Sequence, residues 1–411
     1  MGTSVTFPWF VRRPVGSRRR TGPLVAGVVG VAGVVGLAAL SGCGTERARS
    51  TDLEAVAKPP GRHGTAKAAR HGADRFTVVG TGDFLLHGVL IEQAAADARA
   101  RGERGYDFMP MLARLKPVIS QADLAVCHLE TPVAARSGPY SGYPVFNSPP
   151  QIVDAIRRLG YDTCSTASNH AIDQGGRGVR RTLAALDRAG VGHAGTARGP
   201  REAERIDLHD VKGVKVAQLA YTYGTNGIPK PAGQPWLVND GLAPGKILAD
   251  AARAKAAGAD VVILSLHWGE EYQHAATSAQ RRLARTLLAS PDVDLILGDH
   301  VHVVQPFERF HGKWVAYGMG NQVANPSANA EGTHEGLVAR FTFTRDASGG
   351  WTAQPSYVPT FVRPGPPIRL LTAGPADRRV LERTGRVVGS LGHRVPLVTV
   401  PPATVEETTQ R

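Results

Sequence analysis

The chain has 411 residues, of which 42% are apolar and 20% charged, enough to bury a substantial core in one large domain or two. Its formal net charge is +13. Arg12, Arg13, Arg18, Arg19 and Arg20 supply five of those charges before residue 43, with no acid among them. The modest excess that remains permits a polyanionic partner or anionic headgroups without requiring either. No basic stripe with interleaved aromatics occurs, which argues against nucleic-acid binding.

Residues 1–42 read as a secretory signal: a basic start, an apolar run from about Pro23 to Leu40, and small residues at the cut. The ending Leu40-Ser41-Gly42-Cys43 resembles a bacterial lipobox, which makes Cys43 the acylated first residue of the mature chain. The competing reading is an uncleaved transmembrane anchor. Glycine-rich helices are poor spans, and Cys43 stands where a lipobox needs it, so the lipid anchor is favoured. Either way the globular part lies outside the cytoplasm, on the outer face of the bacterial membrane. Residues 43–74 are polar, lack periodicity and contain Pro59, Pro60, Gly61 and Gly64. They read as a flexible tether.

The globular part, 75–363, begins with a short buried strand, Phe76 to Val79. Gly80 and Gly82 then let the backbone turn tightly and present Asp83 at a strand end. Asp107 is expected to cap a helix running to about Ile119. Ala122 to Leu129 is the second strand, ending at Glu130. Ser148 and Pro149 are expected to open a helix that closes at Gly160. Tyr161 to Thr166 is the third strand, leading to Asn169-His170 and Asp173, and a helix follows from Gly178 to Ala189. Val211-Lys-Gly-Val marks a hairpin turn before a strand at Val216 to Tyr221. A helix from Lys246 to Ala257 leads to the strand ending at His267. Another from Ser278 to Ala289 leads to Val293–Leu297 and Gly298-Asp-His-Val-His302. Val303–Phe307 and Lys313–Tyr317 suggest a second hairpin. Gly336–Thr344 and Trp351–Val362 add strands of period two. Residues 364–411 form an extension: Pro-rich, then weakly helical, then loose. Alternating strands and helices predict an α/β fold.

Strand ends are where open α/β sheets build their sites. Asp83, Glu130, Asn169, His267, His300 and His302 all follow strand-like runs, and the last two project to one side if the segment is extended. Carboxylates, an amide oxygen and imidazoles suit one or two divalent transition-metal ions: Zn, Mn or Fe. With Asp83 bridging, such ions would lower the pKa of bound water toward ~7 and supply hydroxide for attack on phosphorus or a carbonyl. His170 is cast as an acid or transition-state donor. Asp173 either orients it or, as the slightly favoured reading, caps the next helix. Glu270 and Glu271 are read as general-base candidates or as partners of the metal-bound histidines, the second role being favoured for Glu271.

Gly82-Asp83, Leu129-Glu130, Asn169-His-Ala-Ile-Asp173-Gln-Gly175, His267-Trp-Gly-Glu-Glu271-Tyr272, Gly298-Asp-His-Val-His302-Val-Val-Gln305 and Gly320-Asn321 resemble the CapA (poly-γ-glutamate capsule synthesis) family. That family is itself similar to calcineurin-like metallophosphoesterases. The resemblance spans roughly residues 75 to 325 and rests on six ordered motifs. It implies a metallophosphatase-like sandwich of two mixed β-sheets flanked by helices. It also implies an extracytoplasmic role tied to poly-γ-glutamate or a related anionic envelope polymer, alongside membrane proteins of capsule synthesis or export. The sequence departs from phosphoesterases at two points: Leu85 stands where they place a histidine, and Glu130 replaces an aspartate. It departs from the CapA family at Val301, where that family usually has a proline. His87 either reaches the metal or packs structurally.

Two functions of different class follow, and a third reading, a general phosphoesterase, is weakened by the departures at Leu85 and Glu130. One is a lipid-anchored, metal-dependent hydrolase of an amide or phosphoester bond. The other is a non-catalytic polymer-binding or export-assembly protein whose metal is structural or vestigial. Cys127 and Cys164 form a disulfide or stay as separate buried thiols. Arg177 is read as solvated, and Trp268 and Tyr272 as core residues before cleft ones.

Overall fold

A computed structural model describes residues 73–325 and 330–400. The signal sequence, Cys43 and the tether up to residue 72 lie outside the described residues. Among those described, no helix is long and apolar enough to cross a membrane.

The strands are β1 (Arg75–Phe84), β2 (Leu124–Leu129), β3 (Thr163–Ser165), β4 (Gly192–Ala194), β5 (Asp207–Val211), β6 (Val214–Thr222) and β7 (Val261–His267). There follow β8 (Leu295–Asp299), β9 (Phe307–Phe310), β10 (Lys313–Ala316), β11 (Asn321–Val323), β12 (Glu335–Arg345), β13 (Trp351–Arg363) and β14 (Arg369–Thr372). They make two sheets. The first runs β14-β13-β12-β1-β2-β3-β4, with β11 paired to the end of β1. The second runs β5-β6-β7-β8-β10-β9. Both mix parallel and antiparallel pairs.

The sheets face each other across a dry layer that includes Val78, Val126, Val216, Ile263, Leu297 and Phe341. The central strands are apolar on both faces, because each sheet also carries helices outside. Leu90, Ile156 and Leu186 cover the first sheet from the helices at Gly88–Ala100, Gln151–Leu159 and Gly175–Ala189. Ile247 and Leu287 cover the second from Pro244–Ala256 and Ser278–Leu288. The expected sandwich of two mixed sheets flanked by helices is therefore observed.

Several local expectations change. The helix expected from Asp107 to Ile119 is broken into Met109–Leu112, a 3-10 turn at Ala113–Leu115, and Lys116–Ile119. Pro117 has no N–H to continue the ladder. Ser148 caps nothing. Its hydroxyl meets that of Thr131 at 2.7 Å, and the helix starts at Gln151 behind two prolines. The second hairpin shifts to β9 and β10, turning at His311 and Gly312, which both have positive φ. The chain after residue 363 adds β14 to the first sheet and a helix at Arg378–Val388. A disulfide joins Cys127 to Cys164, which lie opposite each other on adjacent strands β2 and β3.

Candidate metal centre

The site is built at the carboxyl ends of strands from both sheets. Asp83 comes from the last turn of β1, where the pairing register slips on both sides. Glu130 follows β2 directly, and Asn169 and His170 lie on the loop after β3. From the second sheet come His267, the last residue of β7, and Asp299, the last of β8. His300 and His302 follow on a loop.

The two loop histidines do not share a face by strand alternation. The strand stops at Asp299, and both residues take left-handed backbone conformations, with φ of 94° and 57°. Non-glycine residues held there store strain of ~1–3 kcal/mol each, which the surroundings must outweigh. The turn nevertheless brings the two rings to 6.1 Å, and the His300 N–H donates to Asp83 Oδ1 at 3.2 Å.

Asp83, Glu130, Asn169, His267, His300 and His302 are all brought together and all buried. His302 Nδ1 lies 3.0 Å from Asp83 Oδ2 and from Asn321 Oδ1. Glu130 Oε1 is 3.9 Å from His267 Nε2 and 4.0 Å from His302 Nε2. Asn169 Oδ1 sits 2.9 Å from His267 Nε2. Glu271 is exposed at the mouth, and it offers an oxygen within 4.8 Å of ligand atoms of His300 and His302.

Asp173 is not a helix cap. Its Oδ2 lies 2.8 Å from His170 Nδ1 and accepts from the Phe146 N–H at 2.8 Å, so it orients the imidazole. His170 Nε2 then faces a cleft of about 520 Å³ floored by His302 and walled by Leu85, Phe146, Asn226 and Tyr272. Among the described residues its lining contains no lysine or arginine. His87 lines the same cleft, packs edge-on against Phe146 and accepts at Nδ1 from the Asn325 N–H. Trp268 is fully buried against Tyr317, whereas Tyr272 is part of the cleft wall.

Burial without solvent shapes the electrostatics. Desolvation pulls His128 down to about 4, and desolvation with His302 pulls His300 down to about 3. His267 lies well below the usual value for the same first reason. These imidazoles are neutral at neutral pH, with a lone pair available to a cation. Burial alone would also lower His302, but Glu130 and Asp83 outweigh it and raise it to about 10. Desolvation and Asp83 push Glu130 and Asp299 up. Asp83 stays low, because His302, His128 and the His300 N–H outweigh its burial.

Both oxygens of Glu130, both nitrogens of His128, His267 Nδ1, His300 Nδ1 and Asp299 Oδ1 are buried without a hydrogen-bond partner among the described residues. Natives rarely leave such groups unpaired, at ~1–3 kcal/mol each. So many orphans converging on one point fit a cation, and an oxygen-and-imidazole donor set fits a divalent transition metal.

Residues 77–326 match the model of the bacterial capsule synthesis protein PGA_cap. The chain belongs to that family. This agrees with the expectation from the six ordered motifs. Among similar proteins, the capsule biosynthesis protein CapA of Bacillus anthracis is 29% identical over 177 residues, 42% of this chain and 42% of that protein. The chain thus aligns with less than half the length of that relative. The PGA biosynthesis protein CapA of Bacillus subtilis is 22% identical over 299 residues, 72% of this chain and 75% of that one. Among solved structures, the calcineurin-like phosphoesterase YfkN of Bacillus subtilis is 17% identical, covering 69% of this chain and 90% of that chain at a TM-score of 0.39.

His128, Asp299 and the cleft residue Asn226 were not singled out from sequence. For His128 the signal was present: it is a histidine on the apolar run that delivers Glu130, two residues before that carboxylate.

Proposed function

We propose that this PGA_cap protein is a metal-dependent hydrolase. It would be anchored by lipid at Cys43 on the outer face of the membrane and act on a γ-glutamyl polymer or a related anionic envelope polymer. The observation that carries this reading is the cluster of buried atoms left without a hydrogen-bond partner among the described residues on Asp83, Glu130, His267 and His300, gathered behind His302, which lines an open cleft. Those residues, with Asn169, would hold one or two divalent ions. A bound ion supplies Lewis acidity and water activation near neutral pH.

The protein's own groups do the rest. Asp173 fixes the His170 ring through Nδ1, leaving Nε2 to hold or give a proton at the leaving group. Asn226 Nδ2, 3.4 Å from that nitrogen, keeps it turned toward the cleft. Phe146 and Leu85 exclude water from one wall. With no lysine or arginine among the described residues of the lining, the cation centre carries the attraction for an anionic backbone, which keeps affinity and chemistry at one place. The same family names favour capsule polymer over simple phosphate esters as substrate.

The test is metal content and turnover of γ-glutamyl and phosphoester substrates by the full chain. His300→Ala/His302→Ala should lose both. His170→Asn should keep the metal and lose ~10²–10⁴-fold in turnover. Full turnover in the double variant would refute the proposal. Polymer secretion that survives loss of both histidines would instead support a non-catalytic assembly role.

A further inference from the structure

His128 projects from β2, in register with Asp83 on β1. It is 1% exposed, and neither ring nitrogen has a hydrogen-bond partner among the described residues. A neutral imidazole must carry one N–H, so the ring as it stands leaves a buried donor and a buried acceptor unpaired. Its neighbours are polar yet all beyond hydrogen-bond range. Nε2 is 3.8 Å from Asp83 Oδ1, and Nδ1 is 3.7 Å from Asp299 Oδ2. The ring of His267 lies parallel to it, at 4.8 Å between centroids and 27° between planes.

That spacing has a simple chemical meaning. Two donors each ~2.1 Å from one ion stand up to ~4.2 Å apart. The 3.8 Å gap is too long for a hydrogen bond and short enough for a shared cation. One atom each from Asp83, His128 and His267 all lie within 4.8 Å of one another, and all three residues are buried. Two further trios are as closely spaced: Glu271, His300 and His302, which includes an exposed member at the cleft mouth, and Asp83, Glu130 and His302, all buried, which links the two through Asp83 and His302.

We propose that His128 is a ligand of an inner divalent-cation position shared with Asp83 and His267, and that Asp299 is the positioning residue that orients it from Nδ1. The outer position belongs to Glu271, His300 and His302. This rests on the metal-centre reading above and adds a ligand and a division of the donors that the family motifs do not assign. Two imidazoles and a carboxylate form a set suited to Zn or Fe(II). Carboxylates placed behind a ligating imidazole commonly fix its orientation and raise its basicity.

The experiment titrates the full chain, stripped by chelator, with Co(II) and then Zn(II). It follows bound metal by elemental analysis and the visible Co(II) absorption. Wild type should take up two ions in two phases. His128→Gln should lose the first, tighter phase and its absorption, while far-UV circular dichroism stays that of wild type. Asp299→Asn should keep both phases with the tighter one weakened by ~10–100-fold. Two ions at wild-type affinity in a folded His128→Gln chain would overturn the assignment. Should that variant fail to fold, Asp299→Asn decides, and an inner affinity within about twofold of wild type overturns it. A wild-type chain that binds no ion refutes the metal centre itself, a different outcome from losing His128 alone.

Discussion

Gly82 immediately precedes the central carboxylate, and its lack of a side chain is a packing requirement. A Cβ at this position would lie 1.8 Å from the Gly320 carbonyl oxygen and 2.8 Å from its carbon. An unstrained carbon–oxygen contact needs ~3.3 Å, so β1 and the segment entering β11 would have to part by roughly 1.5 Å. Both partners are backbone, so no side chain can swing aside. The same carbonyl accepts the Asp83 N–H at 3.0 Å, and Asp83 pairs with Asn321, the residue that holds His302. The displacement therefore falls on two proposed ligands at once. Overpacking ordinarily costs ~1–3 kcal/mol, and a forced backbone shift puts Gly82→Ala at or above ~3 kcal/mol. At ~1.5 °C per kcal/mol for a folded domain of this size, Tm should fall by about 4–5 °C or more. Metal sites tolerate ligand errors of only ~0.2 Å, so metal affinity should fall further than stability. The assay is thermal unfolding with chelator and with Zn(II), beside Gly88→Ala. At Gly88 an added Cβ meets nothing within 4 Å, and the melt should be unchanged or slightly raised. A Gly82→Ala chain that melts within about 2 °C of wild type and binds metal normally would refute the reasoning.

Three further outcomes are expected. Cys127→Ala/Cys164→Ala opens a loop of sequence separation 37 and should cost about 4 kcal/mol by chain entropy; an unchanged Tm in the double variant, or in reduced wild type, would count against it. His209 Nε2 lies 2.8 Å from Asp207, and burial, which lowers its pKa, is outweighed by that carboxylate, which raises it. The resulting stabilisation is complete below the usual histidine value of ~6.5 and is lost as pH rises through the raised one. Melting curves of wild type and His209→Asn should therefore converge across that window, and a constant gap would sink the argument. Arg369 clasps buried Asp97 through two bonds of 2.9 and 3.0 Å, tying β14 to the Gly88–Ala100 helix. Arg369→Ala should lose ~1–3 kcal/mol, read by denaturant unfolding, and Arg369→Met/Asp97→Leu should recover part of it.

The strands that deliver donors were legible because each is a short apolar run ended by a polar residue, as at Val261–His267 and Leu295–Asp299. The Lys212-Gly213 turn was legible too, since both residues adopt the positive φ that such a hairpin requires. The helix at Gly88–Ala100 was not. Its buried face includes Gln93 and Asp97, whose partners Ile368 and Arg369 lie far along the chain, so its apolar stripe is interrupted. The same long-range pairing hid β14. At the site, donor types were readable while directions were not. A left-handed turn at His300 and His302 depends on contacts with Asp83, more than two hundred residues away. Leu85 left a gap along β1 that sequence alone offered to fill only from His87. The structure packs Leu85 against Phe146 and brings His128 to Asp83 from the neighbouring strand.

The donors are divided between the two sheets: Asp83, His128 and Glu130 on one side, His267, Asp299, His300 and His302 on the other. An ion held by both groups is therefore a rivet through the sandwich, and loading and sheet docking become one equilibrium. At a free metal concentration 100-fold above Kd the folded state gains ~2.7 kcal/mol. When metal is scarce that gain vanishes, and the same seam is left with three buried carboxyl groups to accommodate without it. The lifetime of such a protein would follow the metal supply of its surroundings, so a cell starved of that metal would lose the protein as well as its activity.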